Sequence, residues 1–392
     1  MGITVDTAYK SLNKYTEELC GDKVEILHTA DSHILILADG MGSGVKANIL
    51  STMASRILGT MFLKGIPLEK CVETLAETLP VCKVRQMAYA TFSILQVFDD
   101  GAAYLAEFDN PGCIFIRDGK IIRIPENIRV IEGRRINEYS FHVKKGDVLI
   151  LLSDGTINAG AGELLNFGWT WNEIADYALK KSAVTISAMH LATVICQACD
   201  DLYQLKPGDD TTAAVMRITE RRKVNLLTGP AENPDDDEAM IHAFMADEEA
   251  VRVICGGTSS LIASRVLDRK LSVSMENEDD TLPPAAIMEG IDLVTEGVLT
   301  MNRALKLLEQ YTKNEEITED FFKELDKKNG ASMLAHILLE KCTELHLFVG
   351  KAVNGAYQNT ELPFNLGIRQ SLVDRIKELM ESMGKTVTVT YY

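Results

Sequence analysis

The sequence predicts an α+β fold: antiparallel sheet packed against long helices, followed by a second unit of α/β type. Three observations carry that expectation. Short apolar runs of strand length dominate residues 1–222, and turns such as Asp99-Asp100-Gly101 and Asp118-Gly119 join neighbouring runs at hairpin spacing. From residue 223 onward strand-length and helix-length segments alternate, which is the rhythm of a wound α/β domain. The charge divides at the same place, with 23 basic and 28 acidic groups (net −5) in residues 1–222 and 17 and 29 (net −12) in residues 223–392.

In the first unit strands are expected at 24–28, 33–38, 92–98, 102–108, 113–117, 120–124, 140–143, 148–152 and 212–218. Helices are expected at 45–63, 68–79, 171–181 and 184–203, where apolar residues recur at helical spacing. The last strand runs into the basic cluster Glu220-Arg221-Arg222-Lys223, which places the boundary between domains 1–222 and 223–392. Just inside the second unit, Thr228-Gly229-Pro230-Ala231-Glu232-Asn233-Pro234 and the acidic run Asp235-Asp236-Asp237-Glu238 read as a loop. Strands are then expected at 224–227, 251–255, 271–275, 346–348 and 386–391. Helices are expected at 238–245, 259–268, 300–311, 333–342 and 370–383.

Composition excludes several functions. The chain has 392 residues, 46% of them apolar, with 57 acidic and 40 basic side chains and a formal charge of −17. That balance describes a folded protein of two or three domains and repels the phosphates of a nucleic acid. The apolar stretches 34–38 and 148–152 are five residues each, against the roughly 20 that cross a bilayer. No membrane partner is expected. The N-terminal stretch lacks an apolar signal region, and Asp6 stands where a myristoylation signal needs Ser or Thr, so a cytoplasmic location is expected. Eight cysteines in mostly apolar surroundings, among them Cys82 and Cys255, are expected to be reduced and buried.

The chemistry lies in acidic residues at the ends of apolar strands. Asp39 stands in Ile36-Leu37-Ala38-Asp39-Gly40-Met41-Gly42-Ser43-Gly44, Asp154 in Leu151-Leu152-Ser153-Asp154-Gly155-Thr156, and Asp209 and Asp210 in Pro207-Gly208-Asp209-Asp210-Thr211-Thr212. One Asp-Gly turn is ordinary. Three such turns at the ends of neighbouring strands would gather carboxylates that repel one another unless a cation or base compensates them. No Lys or Arg lies within four residues of Asp154, and Lys46 is the nearest cation in sequence to Asp39. A hard divalent metal is the simplest answer, since all-oxygen ligation suits Mg²⁺, Mn²⁺ or Ca²⁺ and not Zn²⁺. Gly40 can add its carbonyl because a residue without Cβ lets the chain approach a metal closely. Two such ions about 3.5–4 Å apart would hold a bridging water, lower its pKa and yield a hydroxide able to attack phosphorus in line.

The ordered set Asp39-Gly40-Met41-Gly42-Ser43-Gly44, Ala90-Thr91-Phe92-Ser93-Ile94-Leu95, Asp109-Asn110-Pro111-Gly112, Gly146-Asp147-Val148-Leu149-Ile150-Leu151-Leu152-Ser153-Asp154-Gly155 and Asp209-Asp210-Thr211-Thr212 resembles the stage II sporulation protein E type of PPM serine/threonine phosphatases. It covers residues from about 20 to 220. The resemblance implies an αββα sandwich and manganese- or magnesium-dependent removal of phosphate from phosphoserine or phosphothreonine in a protein. It also implies that Asp39 bridges two metal ions with the Gly40 carbonyl as partner, and that Asp154 and Asp209 complete the binuclear site. Asp22, in Cys20-Gly21-Asp22, resembles the family's acidic residue on an early strand. Asp210 stands where relatives carry a further ligand or a supporting group. The arginine that holds phosphate in many eukaryotic relatives has no match before Gly21. The implied substrate is a small phosphorylated regulatory protein of the anti-anti-sigma type, and the helices over 45–79 are the implied gate. A homo-oligomer is compatible with this picture.

Other motifs are weaker. Gly40, Gly42 and Gly44 lack the Gly-Lys-Ser/Thr ending of a nucleotide loop. Cys196-Gln197-Ala198-Cys199 is a lone pair within a helix and reads as core. The seven histidines are scattered without i,i+4 pairing. In the second unit, Val253-Ile254-Cys255-Gly256-Gly257-Thr258-Ser259-Ser260 runs from strand to helix, either as a capped turn or as a site for phosphate or carboxylate. Glu276-Asn277-Glu278-Asp279-Asp280 reads as a solvated loop. Two rivals to an active phosphatase are a pseudophosphatase binding module and a metabolite sensor working through residues 223–392.

Overall fold

The computed structural model describes residues 3–79, 90–162, 164–273, 283–352 and 365–392. Cys82 and the stretch from Glu276 to Asp280 lie outside the described residues, as does the end of the strand expected at 271–275. The chain divides into two compact units, Met1–Glu220 and Arg221–Tyr392.

The first unit contains β1 (Thr4–Leu12), β2 (Asp22–His28), β3 (Ser32–Gly40), α1 (Gly44–Leu63), α2 (Leu68–Thr78), β4 (Ala90–Phe98), β5 (Ala102–Phe108), β6 (Ile114–Arg117), β7 (Lys120–Ile122), β8 (Asn127–Ile131), β9 (Arg134–His142), β10 (Val148–Leu152), α3 (Asp154–Ile157), α4 (Trp171–Ser182), α5 (Ala188–Leu202) and β11 (Thr211–Thr219). Two sheets form, one in the order β1-β11-β10-β6-β7 and one in the order β2-β3-β4-β5-β9-β8. All their pairings are antiparallel.

Residue alternation explains why the sheets stack. On β3, Ile34, Ile36 and Ala38 face the core under α1 and α2, while Leu35 and Leu37 face the core between the sheets. Strand β4 repeats this, with Phe92 and Ile94 on the helix side and Leu95 and Val97 on the inner side. A strand buried on both faces reads as a continuous apolar run, and its period of two sorts the residues between two cores. The second sheet answers with Phe115, Leu149, Leu151, Ala214 and Met216, and α5 packs on its β1 and β11. The result is the αββα sandwich that the resemblance implied. Full burial of each such Leu or Ile contributes about 1.5–3 kcal/mol.

Helix ends follow local chemistry. Helix α4 opens with a capping box of Thr170 and Glu173, and α5 opens at Ser187, whose hydroxyl accepts the His190 N–H at 3.2 Å. The latter cap moves the start of the helix from the expected 184 to 188. Strand β1 has no strong apolar pattern; its register is supplied by nine successive pairings with β11, Thr4↔Thr219 to Leu12↔Thr211. Strand β9 begins at Arg134, six residues before the expected start, because it pairs with β8 across a turn at Glu132 and Gly133, both at positive φ.

The second unit contains β12 (Lys223–Thr228), α6 (Asp237–Met245), β13 (Val251–Cys255), α7 (Gly257–Leu267), β14 (Ser272–Val273), β15 (Ala286–Met288), β16 (Ile291–Thr295), α8 (Val298–Tyr311), α9 (Glu319–Leu325), α10 (Gly330–Glu340), β17 (Glu344–Val349), α11 (Asn365–Ser382) and β18 (Thr386–Tyr391). Its sheet runs β14-β15-β16-β13-β12-β17-β18. The five strands from β16 to β18 are parallel, and β14 and β15 add an antiparallel edge. Leu227, Ile254, Val294 and Phe348 bury one face against α6 and α7. The alternate residues Leu226, Val253, Leu293 and Leu347 are buried as well, as a parallel sheet covered on both sides requires. Strands β15 and β16 and helix α9 were not expected from the hydropathy pattern; β15 and α9 are short, at three and seven residues.

Candidate active site

Aspartates from both sheets of the first unit meet at one edge. In register, Asp22 at the start of β2 lies opposite Asp39 near the end of β3. The Gly40 N–H donates to the Gly21 carbonyl at 3.1 Å, which closes this corner. On the other sheet, β10 ends at Leu152 and β11 begins at Thr211, so Asp154 and the pair Asp209 and Asp210 leave adjacent strand ends. The Ser153 N–H donates to the Thr212 carbonyl at 3.0 Å, and the Thr212 N–H to Ser153 Oγ at 2.8 Å. These bonds fix the spacing of the acidic turns. Thus the tertiary fold brings Asp22, Asp39, Asp154, Asp209 and Asp210 within electrostatic range of one another.

Glycines permit the approach. A Cβ at Gly40 would lie 2.0 Å from the Ala47 carbonyl oxygen, and one at Gly155 would lie 2.1 Å from that of Asp210. At Gly21 it would stand 2.6 Å from Asp210 Oδ2. Gly42 and Gly44 have φ of +109° and +65°, conformations that let the chain turn from β3 into α1 within four residues.

Asp22, Asp39, Asp154 and Asp209 are held away from their ordinary titration. Burial raises the pKa of Asp39, and the charges of Asp22, Asp154, Asp209 and Asp210 raise it further. Burial also raises Asp22, with Asp210 and Asp154 adding to the shift; the Thr212 and Ser153 hydroxyls oppose it. Yet both carboxylate oxygens of Asp22, which is 4% exposed, lack a partner at hydrogen-bonding geometry. Burial likewise raises Asp154, where Asp39 acts as a hydrogen-bond partner in the opposite direction. Asp209 is raised by burial and by Asp154, and lowered by Lys14. Asp210 Oδ1 accepts the Lys14 N–H at 3.0 Å, while its Oδ2 has no partner. Among the described residues, no three His, Cys, Asp or Glu side chains stand ready placed around one ion.

Several residues at the edge carry no sequence signal. Asn48, on α1, donates its Nδ2–H to the Cys20 carbonyl at 2.8 Å and ties that helix to the turn before Asp22. Glu17 accepts from Ser43 Oγ at 3.1 Å, and its Oε2 lies 2.3 Å from where a Gly44 Cβ would stand. Tyr203 donates to the Gly155 carbonyl at 2.8 Å. Lys14 is a cation that the linear sequence puts far from every acidic turn. Spacing could not reveal these, because each acts across more than 20 residues of chain.

A four-layer αββα sandwich with aspartates delivered from both sheets to a common edge is the architecture of the PPM class. Residues 29–219, just under half of the chain, match the family model of Stage II sporulation protein E (SpoIIE). Among solved structures the chain is similar to the PP2C phosphatase domain and a fragment of the regulatory domain of SpoIIE from Bacillus subtilis. The identity is 20%, over 56% of this chain and 64% of that one, with a TM-score of 0.47. It is also similar to the RsbU and RsbW domains of Rv1364c from Mycobacterium tuberculosis, at 16% identity over 62% and 70% of the two chains and a TM-score of 0.48. For RsbX in complex with magnesium the identity is 20%, over 55% and 98%, with a TM-score of 0.40. No curated protein matches the chain. Among the described residues no helix is long and apolar enough to cross a membrane.

Proposed function

We propose that this protein is a metal-dependent serine/threonine phosphatase acting on a phosphorylated regulatory protein in the cytoplasm. The observation that carries the proposal is a set of mutually repelling carboxylates, buried at Asp22 and Asp210 and half-buried at Asp39, Asp154 and Asp209, with unpartnered oxygens at Asp22 and Asp210. Such a set is costly to ionise unless compensating charge comes from outside the chain. The donors are all oxygen, which fits Mn²⁺ or Mg²⁺. Asp39, Asp154 and Asp209 are the principal candidate ligands, with the Gly40 carbonyl, Asp22 and Asp210 beside them. Their side chains would have to turn toward a shared point. When bound, two such ions would acidify a water molecule and offset charge developing on the phosphoryl oxygens.

The chain's own residues define the rest. Gly40 lets α1 pack directly on the end of β3 beside the aspartates, since a Cβ there would meet the Ala47 carbonyl. Burial keeps the cluster in surroundings where charge acts strongly. Burial and the charges of Asp22 and Asp210 push the Cys20 thiol beside it up, which disfavours the thiolate that a cysteine nucleophile requires. A phosphoserine or phosphothreonine protein of anti-anti-sigma type is the substrate that the sequence resemblance suggests.

The test is manganese-dependent hydrolysis of p-nitrophenyl phosphate by the full chain and by Asp39→Asn and Asp154→Asn. A loss of about a thousandfold, the rate equivalent of roughly 4 kcal/mol, is expected. Near-normal turnover in either variant overturns the assignment, and a wild type inert with Mn²⁺ and Mg²⁺ favours the pseudophosphatase.

A further inference from the structure

The geometry points to a second ligand site, in the unit Arg221–Tyr392, that takes the phosphoryl group of a small molecule at the paired N-termini of α7 and α8. Parallel α/β sheets place ligands beyond the carboxyl ends of their strands, where helix N-termini offer unpaired N–H groups and positive dipole ends. Here β13 and β16 are adjacent and parallel, ending in register at Cys255 and Thr295. Each runs through a glycine directly into a helix: Gly256 into α7, of 11 residues, and Gly297 into α8, of 14 residues. The two caps touch. The Gly256 N–H donates to the Thr295 carbonyl at 2.9 Å, and a Cβ at Gly297 would lie 3.5 Å from the Gly256 Cα.

Neither helix has a side-chain cap, so the first-turn N–H groups of both are left without an intrahelical or side-chain acceptor beside the touching caps. The neighbouring α10 is different, since Asn329 accepts from the N–H groups of Ala331 and Ser332. The Ser259 hydroxyl gives an independent sign of a ligand. Ser259, 1% exposed, has an Oγ with no partner, 3.3 Å from where a Gly256 Cβ would stand and so directed at the cap. Thr300, fully buried at the same position of α8, has an Oγ1 with no partner. A buried hydroxyl left unpaired costs about 1–3 kcal/mol, and an anion at the caps would receive that of Ser259.

The rim sets the ligand's class. Leu261, Val298 and Leu299 stand exposed beside the glycines, which suits a flat apolar body carried behind the anion, as in a nucleotide. The φ of +135° at Gly256 admits no other residue without strain. The Glu296 carboxylate is the present occupant of the mouth: Oε2 accepts the Gly297 N–H at 3.3 Å, and Oε1 lies 3.5 Å from a Gly257 Cβ position. It is exposed and free to swing away, and until it does it competes with an incoming anion.

Titration calorimetry of the full chain in EDTA, with inorganic phosphate and with AMP as separate probes, tests this. EDTA removes cations from the aspartate cluster, and the signal should persist in Asp39→Asn, so this site and the phosphatase reading fail or stand separately. Saturable binding at one site with a Kd below about 1 mM is expected. Ser259→Ala should weaken it about tenfold, and Glu296→Gln, which folds without loss of any buried contact, should tighten it about threefold. Tighter binding of AMP than of phosphate identifies a nucleotide ligand; binding of phosphate alone identifies free phosphate in the same cradle. Absence of binding for both probes at 10 mM, or a Kd unmoved by Glu296→Gln, overturns the site.

Discussion

Asp22, which is buried, and Asp39, which is half-buried, face each other in register across β2 and β3, at the edge where both sheets of the first unit end. The two carboxylates therefore oppose folding whenever they are ionised without a compensating charge. Asp39→Asn should raise the melting temperature in EDTA at pH 8 by a few degrees, as about 1 kcal/mol is worth roughly 2–4 °C in a domain of this size. Mn²⁺ should then stabilise the wild type and leave the variant nearly unmoved. Differential scanning fluorimetry with and without Mn²⁺ reads both effects, and a variant less stable than wild type in EDTA would refute the repulsion.

Backbone approach at the site can be tested without touching a carboxylate. Gly40→Ala sets a methyl group 2.0 Å from the Ala47 carbonyl oxygen and should cost on the order of 2–3 kcal/mol, with activity falling in parallel. By contrast Gly367→Ala, in α11 with nothing near its Cβ position, should stabilise by up to about 1 kcal/mol. Urea denaturation of both variants compares them directly.

A pH effect is expected from Glu107, away from the aspartate cluster. The side chain is 4% exposed, accepts the Cys113 N–H at 2.7 Å, and is pushed by burial to about 7, with that bond and one from Tyr139 opposing the shift. The unfolded group titrates near 4.3. Its ionised form therefore costs stability that grows as pH rises from about 4.3 to about 7 and is constant above. Glu107→Gln keeps the acceptor and should be more stable than wild type at pH 8, on the order of 2 kcal/mol, with the difference gone by pH 4. An advantage independent of pH contradicts this cause.

Asn48 is a positioning residue between α1 and the turn before Asp22. Removing its hydrogen bond to the Cys20 carbonyl in Asn48→Ala should cost about 1 kcal/mol of stability. The variant should also need more Mn²⁺ for half-maximal activity. A metal titration of the phosphatase rate separates this from a purely structural loss, in which the metal requirement stays fixed.

The sequence by itself determined the α+β class, through strands such as β3 and β4 whose residues are apolar on both faces, and it placed an aspartate at each strand end; the αββα stacking was what the resemblance of its motifs implied. Local periodicity and turn chemistry carry that information, because they report what each residue must bury and where the chain must bend. Only the tertiary structure decided that Asp22 opposes Asp39, that Lys14, Asn48 and Glu17 belong to the same edge, and that β1 takes its register from β11. It also decided that α8 starts at Gly297 against Gly256, which turned one glycine-rich junction into a pair. These are consequences of strand order and long-range pairing, and no short window of sequence contains both partners.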